Sequence, residues 1–389
     1  MALSWPWRKS AALPSAAPQR PAEMKHSTGF VTLHMAQSAS WVARDYSSLA
    51  REGFMRNPVV HRCVRMIAEA AASVPWLLYE DVTEHETHPL LELMKHPQQG
   101  QGGASFFERL YGHLLLSGNA YLERITAPNG THELHLLRPE RVTVECDGNG
   151  WPSALLYRAG NVKRMIPLGC DQSNSGLHLK LFHPLDDHYG FPPLEAALMA
   201  LDIHNAAGAW NKALLDNSAR PSGALVYAPK DGGNLTEEQF QRLKDELEDG
   251  YTGANGAGRP LLLEGGLDWK AMGLTPKDMD FIEAKNAASR EIALAFGVPP
   301  MLLGIPGDNT YANYAEANRA FYRLTVLPLI NRTANAMSGW LKPLYDGDLR
   351  FEPDLDRVDG LSAEREALWR RISDADFLDA DEKREAVGY

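Results

Sequence analysis

Two long helical patterns, joined through a strand–helix–strand pattern, constrain this chain more than any other feature. The first runs from Leu194 to Ser218, with few charges, many alanines, and Leu198, Leu201, Trp210 and Leu214 as larger anchors. Tyr189-Gly190-Phe191-Pro192-Pro193 precedes it and places proline where a helix start tolerates a missing N–H. At 1.5 Å per residue it is a rod of roughly 35–40 Å, and its small side chains permit close packing. The second runs from Thr275, an N-cap before Pro276, to Phe296. Such a pair carries too little polar surface to stand alone in water. Identical copies in a closed ring are the economical source of lateral partners.

Between the rods the sequence predicts a strand at Ala224–Tyr227, a helix opened by Asn234-Leu235-Thr236, and a strand at Arg259–Leu263. That helix is acidic, with six acids against two bases from Thr236 to Asp249. Glu237, Glu238, Asp245 and Glu248 are therefore candidates for docking or for a repulsive rim, against the plainer reading of a solvated face. After the second rod comes Phe296-Gly297-Val298-Pro299-Pro300-Met301-Leu302-Leu303-Gly304, then Asp308-Asn309-Thr310-Tyr311-Ala312-Asn313-Tyr314. Its glycines, proline pair and apolar tip suit contact with something that docks or passes, and it holds no evident acid–base device. A third helix is expected from about Ala315 to Leu341, kinked at Pro328, followed by a strand at Leu349–Glu352 and an acidic helical tail.

The N-terminal half reads differently. Residues 1–40 form an Ala/Pro/Ser-rich arm. Asn57-Pro58 opens a helix whose apolar positions are Val60, Cys63, Val64, Ile67, Ala68 and Ala71. Val74-Pro75 ends it, and Trp76–Tyr79 reads as a strand. A second helix runs from Ser105, a plausible cap, to Ser117-Gly118. Strands follow at Ala120–Thr126, His132–Leu137, Val142–Cys146, Ala154–Arg158 and His178–Phe182. Residues ~50–185 thus predict an α+β unit with a mainly antiparallel sheet.

Composition narrows the function. At 389 residues, 44% hydrophobic and 23% charged, the chain is globular. No apolar run approaches the roughly 20 residues that span a bilayer, so no membrane partner is expected. The arm lacks the continuous apolar core of a signal peptide. Three cysteines, none in a CxxC pair, suit a reducing compartment. The net charge of −11 gathers towards the C-terminus: residues 343–389 carry fourteen acids and seven bases. This does not suit tight DNA binding, which needs clustered Lys/Arg, but it allows loose contact across a repulsive wall.

No catalytic or cofactor motif stands out. His85-Glu86-Thr87-His88 and His132-Glu133-Leu134-His135 have one residue too few between Glu and the second His for the helical zinc motif. Asp186-Asp187-His188 is a turn or, on a rival reading, the centre of a metal-dependent nucleic-acid enzyme. A scaffold that never handles DNA is a third reading. No Walker A, GxSxG or dinucleotide-binding glycine pattern occurs, and neither metal nor cofactor is expected.

Several segments, taken in order, resemble the portal (head–tail connector) proteins of long-tailed bacteriophages and of gene transfer agents. These are Asn57-Pro58-Val59-Val60-His61-Arg62-Cys63-Val64, Leu114-Leu115-Leu116-Ser117-Gly118-Asn119-Ala120-Tyr121, Tyr189-Gly190-Phe191-Pro192-Pro193-Leu194 and Pro221-Ser222-Gly223. The most specific is Ala293 and Phe296-Gly297-Val298-Pro299-Pro300 with Leu303-Gly304 and Tyr311-Ala312-Asn313-Tyr314. The resemblance implies an α+β, elongated, portal-type subunit assembling into a ring of twelve at one capsid vertex of a virion or phage-like particle, built in the bacterial cytoplasm. It implies a wing at 41–190, stem helices at 191–219 and 274–297, and a β-α-β clip at 220–273. A tunnel loop at 298–314, a kinked helix and return strand at 315–358, and a short helical crown at 359–389 complete it. Implied partners are other copies of the chain, the terminase large subunit, the head–tail adaptor, the major capsid protein and double-stranded DNA passing through. Val298, Met301, Leu302, Leu303, Ile305, Asn309, Tyr311 and Asn313 would then be tunnel-facing candidates. Lys277, Lys285 and Arg290 would be basic groups facing the channel, unless they merely pair with neighbouring acids along the helix. No catalytic residue is implied.

Overall fold

The computed structural model describes residues 42–387 except 129, 170–174, 217–222, 228–235, 237, 240, 243–266, 272–280, 307–310 and 346. After a helical turn at Tyr46–Ser48 and a π-helical stretch at Leu49–Met55, helix α1 spans Pro58–Ser73. Asn57 caps it: its side-chain oxygen accepts from the Val59 and Val60 amides, two of the donors a helix start leaves orphaned. The buried face is Val60, Cys63, Val64, Ile67, Ala68 and Ala71, as the spacing predicts.

Strands β1 (Trp76–Glu80) and β2 (Thr83–Glu84) and helix α2 (Pro89–Lys95) lead into helix α3 (Gly103–Ser117). The helix starts at Gly102 as cap, not Ser105. A side chain at Gly103 would collide with the Met94 carbonyl, so glycine lets α3 begin tight against the end of α2. Phe106, Phe107, Leu110, Tyr111 and Leu114 of α3 are buried in the core that α1 shares. Burial of each such side chain is worth about 1.5–3 kcal/mol.

The expected single sheet is instead three separate three-stranded antiparallel sheets. Two of them are built from β3 (Asn119–Thr126), β4 (His132–Leu137), β5 (Val142–Cys146), β6 (Pro152–Ala159), β7 (Val162–Pro167) and β8 (Gly176–Lys180), and the third holds β1 and β2. Strand β3 uses both of its edges, against β4 and β8, and a 3-10 turn at Pro139–Arg141 turns the chain out of that sheet into β5-β6-β7. Tyr121, Leu137, Val142, Leu155 and Ile166 form a small second core joining the two.

Strand β1 pairs on one edge with its neighbour β2 and on the other with β11 (Leu349–Pro353), Trp76 opposite Pro353 and Glu80 opposite Leu349. The return strand therefore completes the N-terminal unit from the far end of the sequence.

The first rod is broken. Helix α4 (Pro193–Ala196) and helix α5 (Leu198–Asp216) meet at Ala197, whose φ of −100° and ψ of 14° leave the helical well. Strands β9 (Gly223–Tyr227) and β10 (Leu267–Ala271) pair antiparallel. The partner of β9 is thus a strand the sequence did not signal, while the expected strand at Arg259–Leu263 lies outside the described residues. Thr236 and Gln239 exchange backbone–side-chain hydrogen bonds of 3.0 and 3.3 Å, a reciprocal cap at the start of the acidic helix. Helix α6 spans Phe281–Phe296; residues 275–280 of the predicted second rod are not described. Helices α5 and α6 pack together, and their buried residues mix small with large: Ala200, Leu201, His204 and Ala207 on α5, Ala288, Ser289, Ile292, Ala293 and Phe296 on α6.

The third helix starts at Tyr311 rather than Ala315. It divides into α7 (Tyr311–Phe321), a π-helical turn (Tyr322–Val326) and α8 (Leu327–Leu341). Pro328 falls in the first turn of α8. The wider π turn just before it absorbs the lost donor and the proline ring's clash with the preceding turn. Helices α9 (Ser362–Ser373) and α10 (Ala380–Val387) end the chain, tied by a 2.9 Å bond from the Arg365 guanidinium to the Val387 carbonyl. One hydrophobic core runs through α1, α3, α4, α5, α6, α8 and β11.

Candidate functional site

The connection after α6 is built from two successive glycine caps. Gly297 adopts φ 68°, its N–H donates to the Leu294 carbonyl (3.0 Å), and the Val298 N–H reaches back to Ala293 (2.9 Å). The same pair of bonds recurs one turn later. Gly304, at φ 71°, donates to Met301 (3.2 Å), and Ile305 donates to Pro300 (3.3 Å), closing a 3-10 turn at Pro300–Leu303. Both follow the pattern in which a left-handed residue lets the chain satisfy a helix's last carbonyls. The Thr325 hydroxyl donates to the Gly297 carbonyl at 2.6 Å, pinning the loop to the π turn. A side chain at Gly297 would sit 2.7 Å from that hydroxyl. The loop is therefore rigidly hung from α6 and the π turn, with Pro299-Pro300 stiffening its middle.

Each sequence candidate has a definite place. Val298 and Ile305 are only 2% and 8% exposed. Their expected role as tunnel-facing residues is corrected: they are buried within the subunit and anchor the loop. Leu302 and Leu303 are half-buried against the main core, and Met301 is half-buried at the tip between them and Pro300. Tyr311 opens α7 and Asn313 is exposed on its first turn, so both belong to a helix rather than to the loop. Arg290 is exposed and spans the loop's base, its guanidinium donating to the Pro306 carbonyl at 2.6 Å. Lys285 is half-buried at the α5 side of α6, near enough to disfavour a charged His204. Glu238 is exposed. Asn309, Lys277, Glu237, Asp245 and Glu248 lie outside the described residues.

Two motifs distant in sequence meet at the root of the first rod. Gly118 (φ 73°) caps α3, and Gly190 lies against it: a side chain on either would collide with the other's carbonyl. Asn119 clamps the junction. Its side-chain oxygen accepts from the Gly190 N–H (2.7 Å), and its amide donates to the carbonyls of Ser117 (2.7 Å) and Gly190 (3.3 Å). Because that oxygen is an acceptor, the His178 ring must donate to it from Nε2 (2.9 Å). His178 stacks on Tyr121, and burial pulls its pKa down to about 4. Sequence reading saw both motifs but not their partner, His178. The period-2 spacing that puts His178 opposite Tyr121 across β3 and β8 was the available signal.

The acid–base clusters have structural work. The Asp186 carboxylate accepts from the His188 and Tyr189 amides at 2.7 and 2.9 Å, which holds it below the usual carboxylate range. His88 caps α2 by accepting from the Leu90 amide (3.1 Å), and His85 pairs with Glu80 at 2.9 Å. His135 pairs with Glu133 at 3.0 Å. Among the described residues no three His, Cys, Asp or Glu side chains gather as a metal site. No helix of the described residues is long and apolar enough to cross a membrane.

Comparison with known proteins agrees with this architecture. A chain from the neck of an empty gene transfer agent (GTA) particle, computed with C6 symmetry, is 53% identical with a TM-score of 0.71, covering 91% of this chain and 97% of that one. A chain from the neck of the native particle, computed with C12 symmetry, is 53% identical with a TM-score of 0.68, over 90% and 94% of the two chains. The portal protein of Enterobacteria phage HK97 is 26% identical over 349 residues, 87% of this chain and 80% of that protein. The sequence model of the phage portal protein family matches residues 58–388, and the chain belongs to that family.

Proposed function

We propose that the chain assembles into a closed twelve-membered ring at one vertex of a phage-like particle, forming the channel through which DNA is packaged and later released, and joining head to tail. The observation that carries this reading is the 53% identity, over nine-tenths of the chain, to subunits in a GTA neck computed with C6 and C12 symmetry. The same relationship favours a gene-transfer-agent-like particle.

In this reading α4, α5 and α6 belong to the stem (191–219 and 274–297) and residues 220–273 to the clip. The clip faces the terminase large subunit during packaging and the head–tail adaptor afterwards. Residues 41–190 with 315–358 form the wing, towards the major capsid protein, and 359–389 form a short crown. The ring works without catalysis, as a passive conduit. Its net charge of −11 keeps a polyanion from sticking to the wall. Sideways association of copies is supported by an apolar stripe on α5: Met199, Ile203 and Trp210 are exposed at helical spacing, away from the buried Ala200, Leu201, His204 and Ala207.

The loop between α6 and α7 borders the channel, with Met301 at its tip. Val298 and Ile305 hold it from behind. Met301→Glu tests this, since that residue is not one of the loop's core anchors. The ring should still form, while nuclease-protected DNA in particles falls at least tenfold. Unchanged DNA content would remove the loop from the channel wall.

A further inference from the structure

The N-cap of α1 does more than cap. Asn57 is 1% exposed and stands where α1 meets α5, so all its hydrogen bonds must be made within the protein. Its Oδ1 accepts from the Val59 and Val60 amides at 3.0 and 3.1 Å. Both partners can only donate, which fixes the amide's orientation. Its Nδ2 group then donates to Asn205 Oδ1 (2.9 Å) and to His204 Nδ1 (3.0 Å), both on α5. Asn205 passes the chain on, its Nδ2 donating to the Glu52 carbonyl at 3.1 Å. Every donor and acceptor in the series is determined. His204 Nδ1 must be bare, so the ring is neutral with its proton on Nε2.

His204 is itself 5% exposed. The ionisable groups around it do not invite a charge. Burial, together with the ammonium of Lys285 approaching from α6, holds the His204 imidazole below its ordinary value. On α5, the Asp202 carboxylate accepts from the Val42 amide (3.4 Å). From the π-helical stretch before α1, Glu52 reaches the cluster through its backbone carbonyl, while its carboxylate pairs with Arg56 at 2.6 Å.

We propose that Asn57, His204 and Asn205 form a proton-sensitive latch between α1 and α5, closed while His204 is neutral and released when it takes up a proton. An imidazolium would set an N–H against the N–H of Asn57, replacing a hydrogen bond by a donor–donor clash in a buried site. The direction follows by linkage. A histidine whose pKa is lowered in the closed state binds more protons when the latch is open. The latch is therefore fully effective above the ordinary histidine value of about 6.5 and weakens as pH falls below it. The opening equilibrium changes by at most about tenfold per pH unit in that range. The latch stands on this geometry alone, whether or not the chain forms a ring.

The test is hydrogen exchange by mass spectrometry on the full assembled chain at pH 7.5 and 5.5, corrected for intrinsic exchange. It follows peptides that cover residues 54–64 and 198–210. Wild type should open several-fold more at pH 5.5. In His204→Gln a side-chain oxygen can still accept from Asn57, and the acid response should vanish. In Asn57→Asp the carboxylate still caps α1 but attracts an imidazolium, so acid should tighten the contact. An acid response in either variant equal to that of wild type overturns the proposal. If His204→Gln does not fold, Asn57→Asp decides.

Discussion

At the residue scale, Gly118 and Gly190 do what no other residue could in their place. Their backbones touch, and Gly118 also holds a left-handed conformation. Gly118→Ala should cost about 2–4 kcal/mol, combining left-handed strain with overpacking. Gly112, inside α3 with open space where a side chain would go, is the control: Gly112→Ala should gain about 0.5–1 kcal/mol. Chemical denaturation of the two variants against wild type measures both. A Gly118→Ala protein as stable as wild type would mean the two motifs do not pack as described. Sequence alone marked both glycines as punctuation, because turn residues are legible locally. It did not mark their contact, which depends on two strands and a helix cap meeting across seventy residues of chain. Asn57 was likewise readable as a cap and unreadable as a partner of His204.

At the element scale, legibility followed the length of the periodic signal. The buried face of α1 was predicted residue for residue, since sixteen residues hold more than four turns of helical spacing. Helix α2 was missed: seven residues offer under two turns of pattern. Strand β7 was missed as well, since four of its six residues are exposed consecutively and show no alternation. The loop after α6 was legible as glycine- and proline-built. Its division into anchors and tip was not, because Val298, Ile305 and Met301 look alike in sequence and only packing separates them.

The α5 stripe is a prediction at this same scale. Met199 is 66% exposed, so Met199→Asp should leave the subunit's own stability within about 0.5 kcal/mol of wild type. It should weaken association at least tenfold, by burying a charge between copies. Analytical ultracentrifugation across a concentration series measures this. Unchanged assembly would place the subunit contact on another face.

At the scale of the whole molecule, one core joins α1 and α3 to α8 and β11, far apart in sequence. Strand β11 returns to β1, and α8 packs where α1 and α3 do. Packed side chains and the polar junctions at Asn57 and Asn119 tie α4, α5 and α6 to the N-terminal unit. No sequence pattern announces that closure, because the β1–β11 pairing spans most of the chain. The ring rests on kinship and on the exposed apolar stripe. Electron cryomicroscopy of the purified, assembled protein tests it most directly. The account predicts rings of twelve subunits around an open central channel, with the segment 297–306 at the channel wall. A population of compact monomers, or an assembly with no central opening, would contradict it.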